Sequence, residues 1–341
     1  MNNKRGDKMK VAINGFGRIG KQFFLAAMER RVNWDFIINS VPDPELAVYE
    51  LKHDSVHKTP VERITHDGKH IYYGRKKIKF YAEKDPLHLP WAAEKVDLVV
   101  DCTGMFTDAE QARRHIIAGA KKVLISAPAK NHNSTIIYGI NDEMLKPEHK
   151  VISAGSCTTN CVAPMVKILN DAFKIKNCYF VTTHAVTATQ RLVDAIDEKD
   201  LRRGRSAMID IIPSTSGASQ SVVEAVPELK EKLEGYALRV PVADGSFASV
   251  IASIEKKATK DEINNIFRKA SMSGYEEILE YTDEEIVSGD IIDNPSSCIF
   301  DAGITSTSGD GMMVSIGGWY DNEYGYACRL VDVAGLILSK K

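Results

Sequence analysis

The residues Gly15-Phe16-Gly17-Arg18-Ile19-Gly20 constrain this chain more than any other stretch. They follow an apolar run at 10–14 and open a segment, 18–30, whose Ile19, Phe23, Phe24 and Ala27 share one helical face. Glycines at that spacing between a strand and a helix do three jobs. The first permits a tight turn, the second lets backbone approach a pyrophosphate, and the third lets the helix pack close to the strand. The pyrophosphate then lies at the helix N-terminus, where free N–H groups favour an anion. β-Rich runs at 34–39, 96–101 and 122–126 alternate with helical patterns at 44–53 and 108–118. That alternation predicts an α/β fold, a parallel sheet flanked by helices of the Rossmann dinucleotide-binding type. Shorter runs at 61–65, 71–73 and 77–81 read as a side decoration of the sheet.

The pattern changes after Ser156. A helix is expected over 158–173, then a long β run over 178–187. A basic, turn-rich segment at 191–213 follows; it is too long for an ordinary connection and is either disordered or functional. Strands are expected near 237–240, 249–256 and 312–319, and a helix over 260–270. The last helix, 324–338, has the apolar spacing of one that packs back on the first domain. At about 150 residues per domain, the length suggests two. These are a dinucleotide-binding domain over 9–156 with 320–341, and a catalytic domain over 157–319.

Charge and cysteine usage narrow the classes. Forty-four Lys+Arg against 46 Asp+Glu give a net charge of −2, so nothing draws the chain onto nucleic acid or an anionic membrane. No apolar run approaches the ~18 residues that span a bilayer. The polar lead at 1–8 does not read as a signal peptide and is expected to be disordered. Six scattered cysteines fit a reducing cytoplasm better than a disulfide scaffold. Cys157 and Cys161 lack a second Cys/His pair at zinc spacing, so no metal is expected.

Cys157 opens the helix that follows Ser156. The positive end of a helix dipole lowers a thiol pKa, which makes Cys157 a candidate nucleophile. Cys102, in a β run, reads as a small buried hydrophobe. A lone cysteine is ordinarily structural, but His184 stands 27 residues downstream on the long β run and can serve as its base. Thr183, Thr187 and Thr189 place hydroxyls around it. Arg191, Arg202, Arg203 and Arg205 are followed by Pro213-Ser214-Thr215-Ser216-Gly217, and Arg239 arrives on a later strand. Arginines usually make a solvated surface. Interleaved with hydroxyl-glycine turns, they supply the forked donors that two phosphate groups need.

These motifs occur in the order found in phosphorylating glyceraldehyde-3-phosphate dehydrogenases, which the chain resembles from about 9 to 340. The most specific are Ser156-Cys157-Thr158-Thr159-Asn160-Cys161 and Trp319-Tyr320-Asp321-Asn322-Glu323. The resemblance implies a Rossmann-type domain plus an α+β catalytic domain with a mostly antiparallel sheet. It implies oxidation of glyceraldehyde 3-phosphate to 1,3-bisphosphoglycerate, in either direction, through a hemithioacetal and thioester on Cys157 with His184 as base. Thr187 and Arg239 match the site of the substrate phosphate. Ser156, Thr158, Arg205, Ser216 and Gly217 match that of inorganic phosphate. Asn322 matches the residue that holds the nicotinamide carboxamide, and Asn14, Gly15, Phe16, Gly17, Arg18, Ile19, Ser40, Lys84, Thr103, Gly104 and Ser126 match the rest of the cofactor site. A homotetramer is implied as well. Ala154-Gly155, Tyr324 and Lys84 depart from the usual pattern without removing a catalytic group.

Two rivals frame that expectation. Erythrose-4-phosphate dehydrogenases share nearly the same motifs but release a free acid, and the complete inorganic-phosphate set argues against them. A redox-sensing binding protein would have lost some of Cys157, His184, Arg239 or Asn322, and all four are present. The cofactor, NAD or NADP, turns on Ser40. The second strand of such a fold usually ends in an acidic residue that binds the ribose hydroxyls of NAD. A serine there does not repel a 2′-phosphate, and the small Ala195 of the basic segment leaves space at the ribose. Asp43 and the lack of an arginine after Ser40 point to use of both cofactors rather than NADP alone.

Overall fold

The computed structural model describes residues 8–198 and 200–340, so nearly all of the lead expected to be disordered lies outside the described residues. The chain forms two units. Among the described residues, the first takes 8–136, 143–154 and 330–340; the second takes 137–142, 155–198 and 200–329. The sequence pattern returns the chain to the first unit at 320, whereas the change comes at 330, inside the last helix.

In the first unit the buried β run at Met9–Asn14 (β1) is central. It pairs in parallel with Trp34–Asn39 (β2) on one side and with Leu98–Asp101 (β6) on the other. Between β2 and β6 the chain makes Ile64–His66 (β3), His70–Tyr73 (β4) and Lys76–Tyr81 (β5). The sheet continues beyond β6 through Lys122–Ile125 (β7), and Ser134–Thr135 (β8) lies outermost beyond Val151–Ser153 (β9). The order is β3-β4-β5-β2-β1-β6-β7-β9-β8. β3 to β5 are therefore no side decoration. They are antiparallel to one another, and β5 joins β2 in parallel, extending the same sheet. The helices are Arg18–Glu29 (α1), Pro44–Lys52 (α2), the short Trp91–Glu94 (α3) and Ala109–Ile117 (α4). Val99, Val123, Ala112 and Trp91 belong to one buried cluster of this unit.

The second unit opens with Cys157–Phe173 (α5), Ile175–His184 (β10), Ile212–Thr215 (β11), Ala218–Ala225 (α6), Leu233–Arg239 (β12) and Ser246–Ile254 (β13). Lys260–Met272 (α7), Leu279–Thr282 (β14), Cys298–Asp301 (β15), Ser306–Thr307 (β16) and Met313–Tyr320 (β17) follow, and Tyr324–Ser339 (α8) closes the chain. Its sheet runs β11-β12-β10-β13-β17-β15-β14, with β16 on β17. Most pairs are antiparallel; β10 with β12 and β14 with β15 are parallel. β11, α6, β14 and β15 have no counterpart in the sequence pattern; β15 is buried along its whole length and carries no period, whereas α6 buries Ala218, Ser221, Val222 and Ala225 at helical spacing. The segment at 191–213 folds on itself rather than staying featureless. Arg191 bridges Ser206, and the Ala195 N–H donates to the Gly204 carbonyl at 2.8 Å. Among the described residues, no helix is long and apolar enough to cross a membrane.

β10 and β12 set the register of the site, and Gly235 on β12 lets them pack. A Cβ there would meet the buried Phe180 ring at 2.4 Å. Gly235→Ala is expected to cost about 1–3 kcal/mol by overpacking. A fall in the urea midpoint with an unchanged slope is the measurement that checks it.

Candidate active site

Cys157 is the first residue of α5, and Ser156 caps that helix. The Ser156 hydroxyl accepts the Thr159 N–H at 3.1 Å while the Thr159 hydroxyl takes the Ser156 N–H at 3.1 Å. This reciprocal box fixes the entry angle of the helix, and with it the direction of the thiol. His184 is the last residue of β10, buried, and its parallel partner across the ladder is Arg239. Cys157 Sγ lies 3.3 Å from His184 Nε2. On the other edge of the ring, Nδ1 lies 2.6 Å from Arg239 Nη1 and 2.7 Å from the Ala185 carbonyl oxygen. Three residues far apart in sequence thus meet in one unit.

Burial dominates their electrostatics. It pushes the Cys157 thiol up to about 11, against the Arg239 charge and the N–H and hydroxyl of Thr158. The helix-dipole argument predicts a lowered thiol; the helix position is as expected, but desolvation of the anion outweighs it. Burial and the Arg239 charge together push His184 down to about 3. Thr183, expected beside His184, faces solvent because strand side chains alternate. Thr182 shares the buried face instead. Its hydroxyl lies 2.7 Å from the Tyr320 hydroxyl, which is also 2.9 Å from that of Thr158.

The chain is similar to proteins of one family over nearly all of its length. Residues 9–109 match the family model for the glyceraldehyde 3-phosphate dehydrogenase NAD binding domain, and 156–322 match that for the C-terminal domain. A glyceraldehyde-3-phosphate dehydrogenase of Streptomyces coelicolor is 44% identical over 95% of this chain and 97% of its own length. One from Geobacillus stearothermophilus is 43% identical over 97% and 99%. The chain belongs to the glyceraldehyde-3-phosphate dehydrogenase family. The resemblance in the motifs therefore extends over nearly the whole sequence, and the chain is an oxidoreductase of that family.

The remaining residues expected at the substrate anions are distributed as follows. The Thr187 hydroxyl lies 3.1 Å from that of Thr189. Ser216 accepts the Ala218 N–H, and Gly217 heads α6 without any side-chain cap. Arg205 is largely exposed and is held by Asp194 at 3.0 Å. Asn322 is buried, with its side-chain oxygen accepting the Ser246 hydroxyl at 2.6 Å. Asp321 fixes that turn, accepting the N–H groups of Glu323, Tyr324 and Asp293.

Within the first unit the glycine loop fits a dinucleotide. Gly15 has φ +89°, and a Cβ at Gly20 would stand 2.0 Å from the Gly15 carbonyl oxygen. Gly17 has open space around it, and the first turn of α1 receives no side-chain cap. Those N–H groups suit a pyrophosphate. Ser40 lies at the loop, its hydroxyl accepting the Phe16 N–H at 3.4 Å. Asn14 and Thr103 share a support that sequence reasoning missed. The two Asp101 carboxylate oxygens accept Asn14 Nδ2 at 2.7 Å and the Thr103 hydroxyl at 2.7 Å. Asn39 donates to the Asn14 side-chain oxygen at 2.8 Å. A carboxylate ending an apolar strand was the available signal. Lys84 and Gly104 are exposed, and the Ser126 N–H donates to the Asp101 carbonyl.

The depressed pKa of His184 has a consequence for stability. The unfolded chain takes up a proton near pH 6.5 that the native state refuses until about pH 3. Stability is therefore fully present above 6.5 and is lost as pH falls through that window. Urea unfolding of the ligand-free protein is expected to show this acid slope, and His184→Gln to flatten it.

Proposed function

We propose that this chain is a phosphorylating glyceraldehyde-3-phosphate dehydrogenase that accepts both NAD and NADP. The observation that carries the reading is the 3.3 Å approach of Cys157 Sγ to His184 Nε2 beside a half-buried guanidinium. The sulfur adds to the aldehyde carbon while His184 receives the thiol proton at Nε2 and passes it to the new oxyanion. A bound nicotinamide supplies the hydride acceptor. As hydride leaves the hemithioacetal carbon, His184 takes back the hydroxyl proton, and a thioester remains on Cys157. Inorganic phosphate then attacks the thioester carbon, and the sulfur leaves. Arg239 and Thr187 hold the phosphate of the substrate; Ser156, Thr158, Arg205, Ser216 and Gly217 hold the attacking one. Anchoring both anions converts the encounter into a positioned reaction. A homotetramer completes the proposal, supported by the exposed apolar side chains of Leu192, Val193, Ile196 and Leu201 in the 191–213 segment.

Cys157→Ala is expected to abolish dehydrogenase turnover with glyceraldehyde 3-phosphate while folding and dinucleotide binding survive. Turnover in a well-folded Cys157→Ala protein would sink the mechanism.

Ser40 supports use of both cofactors. A hydroxyl that accepts the Phe16 N–H still has its own proton to donate. That proton serves a ribose hydroxyl or a 2′-phosphate equally, whereas a carboxylate would repel the phosphate. Comparing kcat/KM for NAD and NADP is expected to show turnover with each, and Ser40→Asp to shift the ratio towards NAD by about tenfold or more, the equivalent of ~1.4 kcal/mol. An unchanged ratio removes Ser40 from the argument.

A further inference from the structure

Asp101 ends β6 almost fully buried, and donors converge on both oxygens of its carboxylate. Oδ1 accepts the Thr103 N–H at 3.1 Å and the Thr103 hydroxyl at 2.7 Å. Oδ2 accepts Asn14 Nδ2 at 2.7 Å and faces His115 Nε2 at 3.3 Å. A carboxylate has about four lone-pair sites, so this one is filled. Its two oxygens serve different loops. Oδ2 holds the end of β1, where the glycine loop starts, and Oδ1 holds the loop that follows β6. The two loops touch: a Cβ on Gly15 would meet the Thr103 methyl at 2.8 Å and the Thr103 nitrogen at 2.9 Å. β1 lies between β2 and β6, so the strand order turns outside these strand ends, and a dinucleotide binds in that crevice. Asp101 therefore spaces the two lips of the crevice.

One of its donors is set from further away. Trp91 on α3 and His115 on α4 are fully buried. An indole N–H only donates, so His115 Nδ1, 3.0 Å from Trp91 Nε1, carries a lone pair. The ring proton then lies on Nε2, the atom that meets Asp101. Because a carboxylate only accepts, Asn14 turns its amide nitrogen to Asp101 and its oxygen to Asn39 Nδ2, at 2.8 Å. Asn39 Oδ1 in turn accepts the Glu83 N–H at 2.9 Å. The side-chain bonds along the ends of β6, β1 and β2 thus form one oriented network that ends on Asp101.

We propose that His115, held in its tautomer by Trp91, is a positioning residue for the dinucleotide and acts through Asp101 on both lips of the crevice. The inference goes beyond the dehydrogenase chemistry and needs only the dinucleotide of the NAD binding domain. Without the Nε2 donor, Oδ2 keeps one partner where it had two, and a buried carboxylate short of a donor is costly. It draws Asn14 or Thr103 closer to make up the loss, and either shift moves a lip. The glycine loop and Thr103 serve the cofactor, so the loss falls on its binding and leaves the chemical step.

The His115 ring also lies against Trp91 and Phe106, so the test separates polarity from packing. His115→Leu fills the space without a donor. His115→Gln offers a carbonyl oxygen for Trp91 and an NH2 group for Asp101. Calorimetric titration of substrate-free protein with NAD is expected to give a Kd about tenfold higher for His115→Leu, the scale of one hydrogen bond to a charged group. His115→Gln is expected to stay within about threefold of wild type, since both bonds are kept. At saturating NAD, kcat is expected to stay within about twofold for both, so that the KM for NAD carries the effect. An unchanged Kd in His115→Leu, an equal rise in both variants, or a fall in kcat with Kd unchanged overturns the proposal. Should His115→Leu fail to fold, Trp91→Phe withdraws the indole N–H without altering a crevice residue. Its Kd is expected to rise as well, and a Kd equal to that of wild type overturns the proposal. Nitrogen-15 NMR of histidine-labelled wild type is expected to show His115 protonated at Nε2; a proton on Nδ1 alone overturns it. The titration needs no turnover, so a protein that bound NAD yet failed to oxidise glyceraldehyde 3-phosphate would lose the enzymatic reading and keep this one.

Discussion

The catalytic unit depends on the parallel pairing of β10 with β12. Their register runs from Cys178 opposite Leu233 to His184 opposite Arg239, and both candidate site residues fall at the strand ends. A slip of one residue would turn His184 to the solvent face and send Thr183 inward. Gly235 permits the approach, since the Phe180 ring occupies the space of its missing side chain. The capping box of Ser156 and Thr159 brings Cys157 to the same place from a different element. Strand register sets the histidine, and helix capping sets the cysteine.

Burial then decides how these groups behave. His184 and Tyr320 are buried and Cys157 and Arg239 half-buried, so a charge there is costly unless matched. Burial pushes the Cys157 thiol up and the His184 imidazole down, each disfavouring its own charged form. The guanidinium is the one permanent charge of the cluster, and it lies against the histidine rather than in solvent. Few contacts are needed to shift such a balance, because each is strong where the dielectric is low.

The first unit follows a parallel design with another purpose. Its glycine loop is held by backbone, through the Gly15 N–H on the Asn39 carbonyl at 2.8 Å, and by the buried side chains of Asn14, Asn39 and Asp101. His115 closes that network. It accepts the Trp91 indole N–H at 3.0 Å on Nδ1, which leaves its Nε2–H facing Asp101 at 3.3 Å. Residues at the C-terminal ends of three neighbouring strands are thereby fixed before any ligand arrives, and no side chain needs to be ordered on binding.

The sequence by itself determined the glycine loop, the parallel sheet around it and the helix that Cys157 opens, and it offered His184 as the candidate base. The loop, sheet and helix follow local rules, since strand, turn and helix succeed one another within a few residues. It could not determine that Thr182 rather than Thr183 stands beside His184, nor that Asp101 supports Asn14 and Thr103. It predicted a lowered thiol where burial raises it. Short strands such as β11 and β15 left no periodic trace. Those outcomes were decided by tertiary structure, because register, desolvation and cross-strand contact depend on residues tens of positions apart that meet only once the chain has packed.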